Sequence, residues 1–479
     1  MSSLDTVKDT VTTAGTAELE TDILVIGWGK GGKTLAKTLG SQGRKVTLVE
    51  RDAGMVGGTC INVACVPTKA LVHRADAVRP GDDPDAAVAS AWDFRDALTS
   101  KLRDANRAML EDLDAVTLVQ GEARFTGERT VEVRPAEAAD GDDDGERLTI
   151  RARHVVVNTG TTPLRPEMPG VDLPGVHDSE TLQLQMDRTR APRRAVVVGS
   201  GPVGLELASM LAGFGAEVTV LVRGEQILPD ESDAVRDSLV EALQDRGVRL
   251  ATGASATGFA EADGGLRVDL EEGEPIAADI VVLATGRAST AEALDPAAAG
   301  IELDEKGFIA VDEHLRTSAP DVWAVGDVNG GPQQTYISLD DHRIVTGQLA
   351  GDGAYSRADR VAVPTTVFTT PPLGSVGMTA EQAREAGHEV KVASKPVAKI
   401  AAMPRPKIEE DAHGVIEVVV DAATDLVLGA RLHCVEAQEL VNLVALAMRA
   451  DVTASALRDG IWTHPSATEA LNEVLGELS

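Results

Sequence analysis

Short apolar runs that stop at glycine recur along this chain, each set beside a stretch with helical spacing. Asp22-Ile-Leu-Val-Ile-Gly27 predicts a buried strand. It runs into Gly27-Trp-Gly29-Lys-Gly-Gly32, then into Lys33-Thr-Leu-Ala-Lys-Thr-Leu, which has the period of a helix. Lys45-Val-Thr-Leu-Val-Glu50 is a second strand that closes on an acid. The same order returns further on. Arg194-Ala-Val-Val-Val-Gly199 leads into Gly199-Ser-Gly201-Pro-Val-Gly204, a helical Leu205-Glu206-Leu-Ala, and Glu217-Val-Thr-Val-Leu-Val-Arg223. The frame carries the meaning. Glycines permit a tight turn and close approach of backbone, and the helix start offers free N–H groups and a positive dipole end to a pyrophosphate. Val155-Val-Val-Asn-Thr159-Gly160 and Ile280-Val-Val-Leu-Ala-Thr-Gly286 are further strands whose ends bring backbone near a ligand, and Val322-Trp-Ala-Val-Gly-Asp327 ends in Gly-Asp.

From about Val361 the texture changes. Pro and Thr cluster at 364–372, alternating strands such as Val415-Ile-Glu-Val-Val-Val follow, and amphipathic helices are expected around 436–450 and 467–478. Residues 1–21 read as a loose leader, with regular structure beginning at Asp22. The acidic Ala-Asp-Gly-Asp-Asp-Asp-Gly between Val131 and Ile150 reads as an exposed turn between strands, without the terminal Glu of a calcium loop. The expected fold class is α/β. Two Rossmann-like units are followed by a C-terminal α+β domain, spanning 22–165 with 296–355, then 166–295 as an insertion, then 362–479. A length of 479 residues suits about three domains.

The net charge of −31 disfavours nucleic acid or an anionic membrane as partner, because neutralising phosphate needs clustered Lys and Arg. At 3% aromatic residues, stacking platforms for single strands are improbable too. No apolar run reaches the roughly 18 residues of a membrane span, and the polar, acidic start lacks a secretory pattern, so a cytoplasmic location is expected. Three cysteines are too few for a disulfide scaffold.

Two of them form the most informative segment, Gly57-Gly58-Thr59-Cys60-Ile-Asn-Val-Ala-Cys65-Val-Pro-Thr-Lys69. Such a pair can close a small disulfide ring, and a thiolate near a cation or helix start becomes a usable nucleophile. Zinc binding and inert buried thiols are the alternatives, and no metal ligand set is assigned. In Trp462-Thr-His464-Pro-Ser-Ala-Thr-Glu469 the carboxylate can fix the imidazole tautomer, although a lone histidine is more often structural. Glu50 ends a strand where an acid bonds a free ribose 2′-OH, so the first unit suits FAD. Arg223 ends the corresponding strand of the second unit, where an arginine suits a 2′-phosphate, or is simply solvated. Cys434 is expected to be a small buried hydrophobe.

Together these stretches resemble the class I pyridine nucleotide–disulfide oxidoreductases, which include glutathione reductase, dihydrolipoamide dehydrogenase and mercuric reductase. The resemblance runs from about Asp22 to Leu478 and rests chiefly on Gly-Gly-Thr-Cys-x4-Cys-x-Pro-x-Lys. It departs at Ala64, where the family usually has Gly, and at Ala288-Ser289-Thr290, where Pro-Asn is common after Arg287. Gly-Trp-Gly-Lys-Gly-Gly-Lys-Thr-Leu-Ala at 27–36, Thr335-Tyr-Ile-Ser-Leu-Asp-Asp-His-Arg-Ile-Val345, Ala402-Met-Pro-Arg405 and Ile461-Trp-Thr-His-Pro are most similar to the reactive-chlorine-resistance flavoproteins, the hypothiocyanite reductases. The chain ends Gly-Glu-Leu-Ser, without the Cys-Cys pair usual in mercuric reductases.

The resemblance implies an FAD domain, an inserted NAD(P)H domain and a C-terminal dimerisation domain. It implies that Gly27, Gly29 and Gly32 hold the FAD pyrophosphate and Glu50 the ribose. Gly58, Thr59, Thr159, Gly160 and Asp327 would line the flavin site, and Gly199, Gly201, Gly204, Arg223 and Gly286 the site for NADPH or NADH. It implies that Cys60 and Cys65 form the redox disulfide, Cys65 against the flavin and Cys60 outward. Lys69 would pair with Glu206 near flavin N5, and His464 with Glu469 would reach in from the second subunit of a homodimer. A cis His464–Pro465 bond is implied as well. The activity implied is reduction of a small oxidised-sulfur compound such as hypothiocyanite, in a setting of oxidative stress. Dihydrolipoamide, mycothione or glutathione-type disulfides, a metal ion, flavin diaphorase activity and a non-enzymatic metal-binding role are the alternatives.

Overall fold

The computed structural model describes residues 11–13, 16–134 and 147–478, which gather into two units. The first comprises the described residues up to Thr68, with Asp93–Leu164 and Gly286–Asp359. Its sheet is built on parallel strands in the order Val116–Gln120, Val46–Glu50, Thr16–Ile26, Arg147–Val157, and Val322–Ala324 also pairs parallel with Arg147–Val157. The hairpin Glu122–Gly127 and Thr130–Arg134 adds antiparallel to the first half of Arg147–Val157. Strands covered on both faces must be apolar at every position, and their two faces separate by residue parity. Ile23 and Val25 pack with Leu35, Leu39, Leu48 and Ile344, whereas Leu24 and Ile26 pack with Phe125, Ile150 and Val157. Full burial of each such side chain contributes about 1.5–3 kcal/mol.

The leader expected over 1–21 is corrected here. Strand structure starts at Thr16, in register with Arg147, and Val11–Thr13 folds back on it. Ala17, Leu19 and Thr21 are buried and Glu18 and Glu20 exposed, so the two glutamates are the solvent side of a period-two strand. The acidic turn between Val131 and Ile150 lies outside the described residues.

The second unit comprises Lys69–Trp92, Arg165–Thr285 and the described residues from Arg360. Its parallel sheet has the order Val248–Thr252, Glu217–Val222, Arg194–Val198, Ile280–Leu283, Val176–Asp178. A separate antiparallel sheet, ordered Thr365–Val367, Leu373–Gly377, Val427–His433, Val415–Asp421, Val390–Pro396, carries the helix Ala437–Arg449. Two expectations change in this part. Val415–Asp421 is buried at every position rather than alternately. Glu417, on the supposed solvent side, accepts a hydrogen bond from Ser232 Oγ at 3.2 Å, because the segment that opens the helix Asp233–Asp245 covers that face. The last helix is only Ala470–Val474, followed by a 3-10 turn at Leu475–Glu477, since residues before Ala470 are committed to the His464–Glu469 segment. Cys434 is fully buried, and burial pushes its thiol up to about 12. No helix among the described residues is long and apolar enough to cross a membrane.

Candidate active site

The first glycine loop is shaped by the residue beneath it. Gly27 has φ +99°, and a Cβ there would meet the Asn158 carbonyl oxygen at 2.4 Å. The same asparagine's Oδ1 accepts the Gly32 N–H at 2.8 Å, and its Nδ2 donates to the Val325 carbonyl at 2.7 Å. Ser338 Oγ accepts the Gly31 N–H at 3.0 Å. The helix Lys30–Ser41 starts from Gly29 with no side-chain cap, which leaves a positive end at the loop. Glu50 accepts N–H bonds from Trp28 (2.9 Å) and Asp52 (3.1 Å), and burial raises its carboxyl above the usual range.

Around this loop the side chains fit a flavin dinucleotide. The buried Thr159 hydroxyl and Trp28 indole Nε1 have no partner among the described residues, a state that costs free energy unless a ligand supplies one. Asp327 accepts a bond from Thr161 Oγ1 at 3.2 Å, and burial raises its carboxyl, so it is poised to engage a polar ligand group. Asp341 holds the Gly326 N–H at 2.7 Å and thereby fixes the turn that carries Asp327.

The cysteines sit in the same unit. Cys60 lies in the single helical turn Thr59–Asn62, and Cys65 opens the helix Cys65–Asp76. Asn62 Nδ2 donates to the carbonyls of Val56 and Gly58, which anchors the turn. Cys65 Sγ lies 3.4 Å from Thr335 Oγ1, on the first residue of the helix Thr335–Ala350. A hydroxyl and a helix N-terminus both favour a thiolate. Cys60 and Cys65 are hydrogen-bonding neighbours. That bond first, and burial second, pushes the Cys60 thiol up. Cys65 is exposed and Cys60 half-buried.

In the second unit Lys69 Nζ is 2.5 Å from Glu206, which is 4% exposed and also accepts the Phe368 N–H at 2.9 Å. The ammonium lies 4.8 Å from the centre of the Phe368 ring. Replacing Glu206 with Ala should therefore destabilise the protein by about 2–3 kcal/mol in urea unfolding, since it leaves a part-buried cation and a backbone donor unpaired. The second glycine loop leads into the helix Pro202–Gly213, again without a side-chain cap. A Cβ on Gly201 would meet nothing within 4 Å, so the chain's own packing leaves room there that suits a pyrophosphate. Arg223 is exposed just past its strand.

His464 Nδ1 is 2.9 Å from Glu469 Oε1, and the other carboxylate oxygen accepts the Ser466 N–H at 2.8 Å. The bond to His464 holds the Glu469 carboxyl below its usual range. The His464–Pro465 bond is cis. The imidazole is 72% exposed, and neighbouring Ile461 is 99% exposed. Among the described residues, Thr290 Oγ1 bonds the Gly160 carbonyl at 3.0 Å, which gives one of the departing residues a structural part.

Asn158, Thr335, Ser338 and Asp341 lie in stretches already singled out in the sequence but were given no site role there. A polar residue closing an apolar strand was the available signal for Asn158, because it must find partners when buried.

Residues 21–341 match the family model described as pyridine nucleotide-disulphide oxidoreductase, and 363–475 match that family's dimerisation domain. The chain is 39% identical over 452 residues to the probable pyridine nucleotide-disulfide oxidoreductase RclA of Escherichia coli K12, covering 94% of this chain and 98% of that one. It is 35% identical to the dihydrolipoyl dehydrogenase of Thermus scotoductus, covering 95% and 97%. It is 30% identical to the mercuric reductase of Lysinibacillus sphaericus, covering 94% and 81%. Among solved structures it resembles the HOCl-induced flavoprotein disulfide reductase RclA of E. coli, with a TM-score of 0.88 at 38% identity, covering 96% of this chain and 100% of that one. A copper(II) complex of that protein matches with a TM-score of 0.88 and 38% identity, covering 96% and 99%.

Proposed function

The chain belongs to the pyridine nucleotide-disulphide oxidoreductases, and from that membership we propose that it uses NADPH and FAD to reduce a small oxidised-sulfur compound, hypothiocyanite, through Cys60 and Cys65. It is a flavoprotein oxidoreductase with a dimerisation domain, and that domain supports a homodimer. The observation that carries the finer reading is the contact between Cys60 and Cys65, with Cys65 at the N-terminus of the helix Thr335–Ala350.

FAD, when bound, supplies the two-electron link between a nicotinamide and the cysteine pair. In this reading Gly27, Gly29 and Gly32 hold its pyrophosphate and Glu50 its ribose, while Gly58, Thr59, Thr159, Gly160 and Asp327 line the rest of the site. Gly199, Gly201, Gly204, Gly286 and Arg223 hold the nicotinamide nucleotide. Lys69, held in place by Glu206 at 2.5 Å, is the cation this reading assigns to the flavin.

The chemistry of the substrate belongs to the thiols. The Cys60 sulfur attacks the sulfur of hypothiocyanous acid, and the leaving hydroxide takes a proton to become water. His464 of the partner subunit, its tautomer set by Glu469 of the partner subunit, delivers that proton. Cys65 thiolate then attacks the Cys60 sulfur, thiocyanate leaves, and the disulfide forms. One substrate consumes two thiols and yields one disulfide, one thiocyanate, one water and one proton. In this reading 16–165 with 296–355 take FAD, 166–295 take NADPH and 362–479 serve dimerisation, and the thiol chemistry suits the cytoplasm, where cysteines are kept reduced.

Steady-state assay of the purified flavoprotein against hypothiocyanite, mycothione, glutathione disulfide, dihydrolipoamide with NAD+, Hg(II), Cu(II) and a quinone tests the reading. NADPH oxidation should be fastest with hypothiocyanite. Faster turnover of dihydrolipoamide with NAD+ would overturn it. Reduction of a metal ion at the same thiols is the second reading, favoured by the copper(II) complex of the E. coli relative. Replacing Arg223 with Ala should raise KM for NADPH about tenfold or more and leave KM for NADH nearly unchanged, because only the former has a 2′-phosphate to lose.

A further inference from the structure

Lys33 lies on the buried stripe of the helix Lys30–Ser41, between Gly32 and the core residues Leu35 and Ala36, and is 5% exposed. An apolar side chain is what packing alone would favour at that position. The ammonium donates to the Gly57 carbonyl at 2.9 Å, and no carboxylate among the described residues lies within ion-pair distance of it. A buried cation without a counter-charge is costly unless an anion forms beside it. Its one partner belongs to the turn that ends in Cys60. Gly57 and Gly58 both have left-handed φ, +92° and +84°, and Asn62 Nδ2 secures the Gly58 carbonyl at 2.9 Å. Lys33 and Asn62 thus hold successive carbonyls of the segment that aims the Cys60 sulfur.

We propose that Lys33 is a positioning residue for the attacking thiol: its buried ammonium fixes the Gly57–Cys60 turn and stabilises negative charge on the Cys60 sulfur. Burial, with a smaller push from Lys30, brings Lys33 down to about 8, while Cys60 pulls the other way. At pH 7 it keeps its proton in about nine molecules of ten. The groups that bear on Cys60 are Cys65, the Thr335 hydroxyl and Lys33, and Lys33 is the cation among them. An oxidant would then meet a larger fraction of thiolate at Cys60 than it would without that cation. The functional consequence rests on Cys60 being the attacking thiol, as proposed above.

The test measures the sulfur itself. In Cys65→Ser holoenzyme, Cys60 is the sole thiol of the pair, and its alkylation by iodoacetamide is followed by peptide mass spectrometry between about pH 6 and pH 10. Lys33→Met removes both charge and hydrogen bond, and Lys33→Gln removes the charge while keeping a donor. Both should raise the alkylation midpoint by about one unit and slow the reaction about tenfold below it. An unchanged midpoint in Lys33→Gln overturns the proposal, including the case in which that variant loses flavin because Lys33 serves the dinucleotide instead. Should neither variant fold, the Cys65→Ser chain decides. A Cys60 midpoint at or below about 8.5, the ordinary thiol value, supports the cation, and one above it refutes it. Alkylation involves no turnover, so a failed substrate panel and a failed titration are separate results.

Discussion

Replacing Cys60 with Ser should lower kcat/KM for hypothiocyanite by at least about 10³-fold, a loss of about 4 kcal/mol of transition-state stabilisation. Serine keeps the shape of the turn and the reach of the side chain. It does not keep a group that ionises near neutral pH or that attacks electrophilic sulfur. The variant should still bind flavin, since Asn158, Glu50 and the glycine loop are untouched. It should also keep any NADPH-dependent quinone reduction that needs no thiol. A wild-type rate with hypothiocyanite in Cys60→Ser would end the thiol mechanism and favour the diaphorase reading. Cys65→Ser makes a sharper companion. It should complete the first attack, release water, and accumulate a Cys60 thiocyanate adduct visible by mass spectrometry, because the thiol that resolves it is gone. The contact that couples the two sulfurs is the reason the two variants should fail at different steps.

Gly27→Ala should yield protein that purifies colourless and is less stable by about 3 kcal/mol or more. Two effects add. A side chain at φ +99° is strained, at a cost of about 1–3 kcal/mol. The new Cβ would lie 2.4 Å from the Asn158 carbonyl oxygen, which is backbone of the residue that directly follows a central strand and is tied to Ile26 by its own N–H, so it cannot swing aside. Relief requires the loop to move away from Asn158, and that breaks the bond from Gly32 N–H that keeps the helix start in place. Flavin absorbance and urea unfolding measure the two losses together. A yellow variant of wild-type stability would mean that the loop tolerates a displacement the contacts forbid. Gly43→Ala is the control, since a Cβ there meets nothing within 4 Å although its φ is also positive. It isolates the backbone strain from the clash.

Both predictions rest on residues the sequence pointed to, and the reason is local. A glycine loop framed by strand and helix, an acid closing the next strand, and two cysteines at fixed spacing are set by neighbours along the chain, where backbone rules operate over a few residues. The same holds for the His464–Glu469 pair, whose members are near in sequence and meet at 2.9 Å. Local pattern misled where polarity was taken for exposure. Glu18 and Glu20 hid a strand, and Glu417 was counted as a solvent position although Ser232 and its neighbours cover it. The pairing of Lys69 with Glu206, 137 residues apart, was implied by family resemblance and by no spacing.

What this amino-acid sequence determined on its own is the pair of glycine loops framed by strand and helix and the placing of Cys60 and Cys65 on one short segment, since each is written in a stretch short enough for steric rules to enforce. Only tertiary structure decided that Asn158, 126 residues from Gly32, would brace the first loop, that Thr335, 270 residues from Cys65, would bring a helix N-terminus to its sulfur, and that a lysine on an apolar stripe would end at the Gly57 carbonyl. Those meetings depend on which strands become neighbours and in what register. Many strand orders satisfy the same apolar pattern, and the choice among them belongs to the packing of the whole sheet.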